Sequence, residues 1–219
     1  MHIHNLSETR SILNTFVAQL RDKTIQKDSM RFRRNIERIG EILGFEMSKT
    51  LNFSQKQIET PLGQKSTEIM ANEIVICSIL RAGLPLHDGL LNYFDDADNA
   101  FISAYRKHDA NTENFKIIIE YLTCPSIEGK TLLIADPMLA TGQSMLSTME
   151  VLKPYGIPKE IHLISVIGSQ EGVDYINKNV SENVHLWIAT IDEKLNDKGY
   201  IIPGIGDAGD LAFGPKLQK

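Results

Sequence analysis

Residues 131–145 read Thr-Leu-Leu-Ile-Ala-Asp-Pro-Met-Leu-Ala-Thr-Gly-Gln-Ser-Met, and they constrain the fold more than any other stretch. Thr131 to Ala135 form a short apolar run behind Gly129 and Lys130, as expected of a strand buried on both faces of a parallel sheet. Asp136-Pro137 ends it. From Ser144 onward, Met145, Met149 and Leu152 recur at helical spacing, so the unit is strand, short loop, helix. Such a unit aims a helix N-terminus and free backbone N–H groups at one point, where a phosphate is favourably bound. Gly142 permits close backbone approach, and Thr141 and Ser144 add hydroxyl donors. Asp136 would repel that phosphate, but it suits hydrogen bonds from sugar hydroxyls beside it. The loop therefore fits a ribose 5-phosphate. It contains neither Gly-x-Gly-x-x-Gly nor Gly-x-x-x-x-Gly-Lys-Ser/Thr, which disfavours a dinucleotide fold or a nucleoside triphosphatase. Doubly wound proteins also carry an Asp at a strand end and a Gly in the next turn without any phosphate ligand, so the stretch does not decide the matter alone.

The surrounding chain repeats the same rhythm. Buried-strand runs are predicted at 74–79, 101–105, 131–135, 161–167 and 184–191, with helices at 83–93, from Ser144 to about 153, and at 170–179. Five parallel strands with intervening helices are the simplest arrangement. The isoleucine-rich run 115–122 pairs with 101–105 as a hairpin whose polar tip, 106–114, is expected to be mobile. Ahead of the core, helices are expected over 8–21 and 28–47. In the second, Phe32, Ile36, Ile39 and Leu43 recur at helical spacing, with Asp28 or Ser29 as cap. Arg31, Arg33, Arg34 and Arg38 are read as solvated charges on its outer face rather than an anion site. Pro61 and Gly63 break 51–71 into short irregular strands or a flap over the main sheet. No repeat or linker divides the chain, which predicts one domain over 1–219 with an N-terminal helical addition at 1–50.

Composition narrows the function. A net charge of -5 argues against a general nucleic-acid binder. There is no apolar stretch of about 18 residues, and Met1-His2-Ile3-His4-Asn5 lacks the features of a signal peptide, so no membrane association and a cytoplasmic location are expected. Cys77 and Cys124, in or beside apolar strands and without a Cys-x-x-Cys partner, read as buried free thiols. The six histidines show no metal-ligand spacing and the carboxylates do not cluster, so no protein metal site is expected.

Two more constellations sit at strand ends, where ligands of open α/β sheets bind. Leu80-Arg81-Ala82-Gly83 follows the first strand and Tyr105-Arg106-Lys107-His108 the second. Either Arg alone is more commonly a surface ion-pair partner. Cations after two strands and a phosphate loop after the third, converging on one crevice, describe a site for a ligand with several phosphates. The segment 194–213, with glycines at 199, 204, 206 and 209, is too Gly-rich for a regular helix or strand. It is also too apolar at Tyr200, Ile201, Ile202, Ile205, Leu211 and Phe213 for a free tail, so it is expected to pack as a lid or pocket wall.

In order and spacing over residues 73–214, four stretches resemble the uracil phosphoribosyltransferase family, of the type I phosphoribosyltransferases. They are Ile79-Leu80-Arg81-Ala82-Gly83-Leu84, Tyr105-Arg106, the loop from Asp136 to Gly142, and Gly199-Tyr200-Ile201-Ile202-Pro203-Gly204-Ile205-Gly206-Asp207-Ala208-Gly209-Asp210. The last is the most specific to the uracil enzymes. The resemblance implies an α/β phosphoribosyltransferase core with N-terminal helices, a β-hairpin arm and a C-terminal base-binding segment at 194–214. It implies formation of UMP and diphosphate from uracil and 5-phosphoribosyl 1-diphosphate (PRPP), with Mg2+ held mainly through PRPP. Carried over residue by residue, Arg81 and Arg106 contact the diphosphate. Asp136, Pro137, Met138, Leu139, Ala140, Thr141, Gly142, Gln143 and Ser144 hold the ribose 5-phosphate. Ile201, Gly206, Asp207 and Ala208 hold uracil, with Asp207 also facing PRPP; Arg81, Arg106, Asp136 and Asp207 form the implied catalytic set. Gln143, where the family often has a second glycine, and Pro85-Leu86-His87 depart from its pattern. A homodimer or homotetramer and a GTP effector are implied as well. A transferase for another base, or a non-catalytic nucleotide sensor on the same fold, are the alternatives.

Overall fold

The computed structural model describes residues 1–108 and 115–217. In chain order the elements are β1 (His2–Asn5), α1 (Ile12–Arg21), α2 (Ser29–Ser48), β2 (Phe53–Thr60), β3 (Gly63–Met70), β4 (Ile74–Leu80), α3 (Leu84–Leu91), β5 (Asp98–His108) and β6 (Phe115–Thr123). There follow β7 (Thr131–Ala135), β8 (Met138–Leu139), α4 (Gln143–Leu152), β9 (Glu160–Ser169), α5 (Gln170–Asn179), β10 (Val184–Asp192), β11 (Lys194–Leu195), β12 (Ile201–Ile202) and α6 (Ala208–Phe213).

The five expected parallel strands form the centre of a sheet ordered β1-β10-β9-β7-β4-β5-β6, with β8 paired to the end of β9. All pairs are parallel except β5 with β6, the predicted hairpin. The tip at 109–114 lies outside the described residues. Two apolar clusters cover the two faces. One gathers Leu13 and Leu20 of α1, Phe32, Ile36, Ile39 and Leu43 of α2, Leu86 and Leu90 of α3, and Ala208 and Ala212 of α6. The other gathers Met145 and Leu152 of α4 with Val173 and Ile176 of α5. Full burial of one such aliphatic side chain contributes roughly 1.5–3 kcal/mol, against about 0–1 for an exposed ion pair. Helix placement therefore follows the apolar stripes, not the surface charges.

Three expectations change. Residues 51–71 are neither irregular nor a cover for the main sheet: β2 and β3 form a regular antiparallel hairpin, almost wholly exposed, whose strands pair with no other strand among the described residues. The segment 194–213 does contain regular structure, a two-residue ladder between β11 and β12 and the short helix α6, which Asp207 caps through a hydrogen bond from the Asp210 amide. Of the two free cysteines only Cys77 is fully buried, and burial pushes its thiol up to about 12; Cys124 is half-buried.

The unforeseen strand β1 pairs with β10 as a parallel ladder, and aromatic rings stack along it. His4 stacks on Trp187 at 3.7 Å between centroids and His2 on His185 at 4.8 Å. Behind them His162 is buried, and its Nδ1 accepts a hydrogen bond of 3.0 Å from Trp187 Nε1, which leaves the proton on Nε2. Burial holds the His162 pKa down, to about 4, although nearby Glu160 opposes the shift. Between pH 6.5 and 4 the unfolded chain therefore binds more protons at this residue than the folded one, so stability must fall as pH drops through that window. From pH 7 to 4.5 the expected loss is roughly 2–3 kcal/mol from this group. Urea midpoints of the wild type and His162→Gln at the two pH values read it, and an equal pH dependence in both proteins would refute it.

Candidate active site

The strand order sets where a ligand can lie. From β4 the chain crosses through α3 to β5 on one side, whereas from β7 it crosses through α4 to β9 on the other. Adjacent strands with opposed crossovers open a crevice at their carboxyl ends. Arg81 and Asp136 are the residues that follow those two ends.

The loop after β7 is built mostly from its main chain. The Asp136 carbonyl accepts from Ser165 Oγ at 2.7 Å, its amide donates to the Ile164 carbonyl at 3.1 Å, and its carboxylate accepts from the Met138 amide at 3.2 Å. The Pro137 carbonyl accepts from the amides of Val166 and Ile167. The Ala140 carbonyl accepts from Ser169 Oγ at 2.6 Å. Gly142, with φ at +78°, then turns the chain into α4 and leaves that helix without a side-chain cap. The N-terminal end of α4 borders a shallow cradle open to solvent, lined by Asp136, Met138, Leu139, Ala140, Thr141, Gly142, Ser144 and Met145. Pro137 and Gln143 are not on its wall. The Gln143 amide donates to Thr141 Oγ1 at 3.5 Å, and the helix dipole favours an anion at this end of α4.

Sequence reading did not single out Ser165, Ser169 or Gly172. Gly172, in the first turn of α5, lies so close that a Cβ on it would sit 2.1 Å from the Ala140 carbonyl oxygen. Polar Ser165 within a buried strand, Ser169 at its end and a Gly in the next helical turn are the traces they leave in the sequence.

Arg81 turns toward the C-terminal segment: its Nη2 donates to Asp210 Oδ1 at 3.0 Å and to the Gly214 carbonyl at 2.5 Å. Gly209 lies beside it, since a Cβ there would be 3.8 Å from Arg81 Nε and 3.9 Å from Ala82 Cβ. The turn after β4 and the segment around α6 therefore meet. Asp207 is half-buried; burial pushes its carboxyl up, but the amides of Asp210 and Gly209 and the Lys216 ammonium, at 3.1 Å, hold it below the usual carboxylate range. Ile201 and Ala208 are buried, and Gly206 has φ at +82°. Arg106 lies on β5 opposite Ile117 of β6. Of the basic run on α2, Arg33 donates to the Ala212 carbonyl at 2.6 Å and Arg38 lies over the Phe16 ring, so both brace neighbouring elements.

An open α/β sheet with a main-chain anion cradle at its switch point defines a phosphate-ester-binding protein of the doubly wound class. The chain belongs to the uracil phosphoribosyltransferase family: residues 7–215 match the family model described as "Uracil phosphoribosyltransferase". It is 49% identical over 217 residues to the "Uracil phosphoribosyltransferase" of Porphyromonas gingivalis, covering 99% of this chain and 100% of that one. The protein of that name from Pyrococcus furiosus is 38% identical over 205 residues, covering 92% and 86% respectively. Among solved structures, the AQ2163 protein from Aquifex aeolicus superposes with a TM-score of 0.85 at 31% identity, covering 99% of this chain and 100% of that one.

Proposed function

We infer that the chain transfers the 5-phosphoribosyl group of PRPP to N1 of uracil, giving UMP and diphosphate. The observation that carries this is the cradle after β7 on one strand and, after the neighbouring strand β4, the cationic turn whose Arg81 contacts the glycine-rich segment around α6. In this reading the α4 N-terminus with Thr141 and Ser144 receives the 5-phosphate, and Asp136 accepts hydrogen bonds from ribose hydroxyls. Ile201, Gly206, Asp207 and Ala208 frame uracil. Breaking the anomeric C–O bond leaves positive charge on the ribose and negative charge on the leaving diphosphate, while uracil N1 attacks and gives up its proton. No protein nucleophile is needed, so catalysis rests on positioning and on charge stabilisation. Arg81 and Arg106 supply positive charge. Mg2+, when bound with PRPP, draws further charge from the diphosphate. In this reading the ion would be held mainly through the oxygens of PRPP itself.

Residues 1–219 serve as one catalytic domain in this reading, and it places the chain in the cytoplasm; among the described residues no helix is long and apolar enough to cross a membrane. Assembly as a homodimer or homotetramer and response to GTP rest on the family resemblance, and sedimentation and rates with and without GTP read them. Diphosphate release measured with uracil, hypoxanthine, orotate and no base tests the main reading: release only with uracil supports it, and release independent of the base refutes it. Arg81 must exchange Asp210 and the Gly214 carbonyl for the diphosphate. A hydrogen bond to a charged group contributes about 1.5–3 kcal/mol, so Arg81→Ala is expected to slow turnover by roughly ten- to a hundredfold. An unchanged turnover number would remove Arg81 from the leaving-group site.

A further inference from the structure

Gly204 lies inside the segment read above as the uracil wall, and one ion pair holds both of its backbone polar groups. Its amide donates to Asp192 Oδ2 at 2.8 Å, and its carbonyl accepts from Arg21 Nη1 at 3.1 Å. The same guanidinium grips the Asp192 carboxylate with two hydrogen bonds, of 2.8 and 2.6 Å. The carboxylate, at the end of β10, is only 8% exposed, and the guanidinium comes from the last residue of α1. One residue further along, the Ile205 carbonyl accepts from Gln26 Nε2 at 3.3 Å, and Gln26 is itself tied to the Leu20 carbonyl at 2.7 Å. Arg21 and Gln26 from the N-terminal helical region thus fix two successive carbonyls of the glycine-rich wall, and Asp192 at the end of β10 fixes the Gly204 amide.

The wall needs such an external hold. Gly204 and Gly206 both have positive φ, and glycine restricts its own backbone least of all residues. Recognition of a base edge by peptide groups requires those groups to stay within about 0.5 Å and 10–20° of the productive geometry. A bidentate Arg–carboxylate pair supplies directional restraint that a Lys point charge does not. Asp192 is held below the usual carboxylate range because the hydrogen bonds of Arg21 and the Gly204 amide outweigh the opposing effect of burial.

We propose that Arg21 and Asp192 are positioning residues for base specificity: through the Gly204 peptide they set the orientation of the main-chain groups at 201–208 that choose uracil. This rests on the reading of that segment as the base site. Both residues lie outside the phosphate cradle and act through Gly204.

Arg21→Lys keeps the charge and loses the fork. Relative to the wild type it is expected to raise the KM for uracil at least tenfold and to lower the preference for uracil over cytosine at least tenfold. The KM for PRPP should stay within about twofold, because the cradle is built from β7, β9 and α5. Asp192→Asn, which keeps an acceptor for the Gly204 amide, should move the same two quantities in the same direction by less. It carries the test alone if Arg21→Lys melts below the assay temperature. Unchanged uracil KM and base preference in the variants overturn the proposal, as does an equal rise in the KM values for uracil and PRPP, which marks a merely structural pair. Gly206→Val, assayed in parallel, separates the two readings. If it spares uracil use, the base site itself is misplaced; if it damages uracil use while Arg21→Lys does not, only the role of the ion pair fails.

Discussion

Gly172→Ala is expected to lower kcat/KM for PRPP by on the order of a hundredfold or more while leaving the fold intact. The added methyl would stand 2.1 Å from the Ala140 carbonyl oxygen and 2.9 Å from its carbon, inside any tolerable contact. Neither partner is the far end of a flexible side chain. The Ala140 carbonyl is also tied to Ser169 Oγ, whose oxygen in turn accepts from the Gly172 amide at 2.9 Å, so relief requires α5 and the loop to part. Val173 and Ile176 anchor α5 in the apolar core, and Leu139 and Met145 anchor the two ends of the loop in the same core, so the strain falls on the stretch from Ala140 to Gly142 between them. A shift of about 1 Å in Ala140, Thr141 and Gly142 moves the phosphate donors off their target, and a misplacement of that size costs on the order of a hundredfold in rate. Steady-state kinetics with PRPP as the varied substrate, beside a melting curve, read the result. A normal kcat/KM would show that the loop does not hold the 5-phosphate as proposed.

That dependence on α5 marks a limit of what the sequence makes legible. The unit from Thr131 to Leu152 is readable because its strand, turn glycine and helix are contiguous, and each obeys a local rule. The five central strands are readable as apolar runs for the same reason. What holds the loop in place comes from about 30 residues further on: Ser165 and Ser169 are ordinary polar residues until their hydroxyls are seen on the carbonyls of Asp136 and Ala140. The strand β1 escaped because His-Ile-His-Asn has no apolar alternation; it is held by a parallel ladder on β10 and by ring stacking against His185 and Trp187. The helix α6 was hidden by the glycines before it. Its signal was the N-cap Asp207, three residues ahead of Asp210, whose amide it accepts.

Selection of uracil over cytosine by roughly a hundredfold or more, and loss of uracil use in Gly206→Val, are the expected results at the other end of the crevice. Uracil presents carbonyl acceptors and an N3–H donor. Cytosine presents an amino donor at position 4 and an unprotonated N3. Main-chain groups matched to the first pattern are mispaired with the second at both positions. A buried mispairing costs about 1–3 kcal/mol, so two together give a ratio on the order of a hundred or more. Only backbone that comes right up to the base edge can read it in this way, which is where Gly206 enters. Its φ of +82° is a conformation that a β-branched residue adopts only under strain, and Leu211 Cδ1 lies 3.5 Å from where a Cβ would be. Gly206→Val must therefore rotate the peptide groups between Ile205 and Ala208. Asp207 would move with them, although its hold on the Asp210 amide and on Lys216 keeps α6 capped. Uracil kcat/KM is expected to fall at least a hundredfold, with a much smaller change in the KM for PRPP, because the phosphate cradle belongs to other strands. 5-Fluorouracil keeps the hydrogen-bonding edge of uracil and should be accepted by the wild type. Equal use of uracil and cytosine by the wild type, or an unimpaired Gly206→Val, would show that the base is read somewhere other than along 201–208.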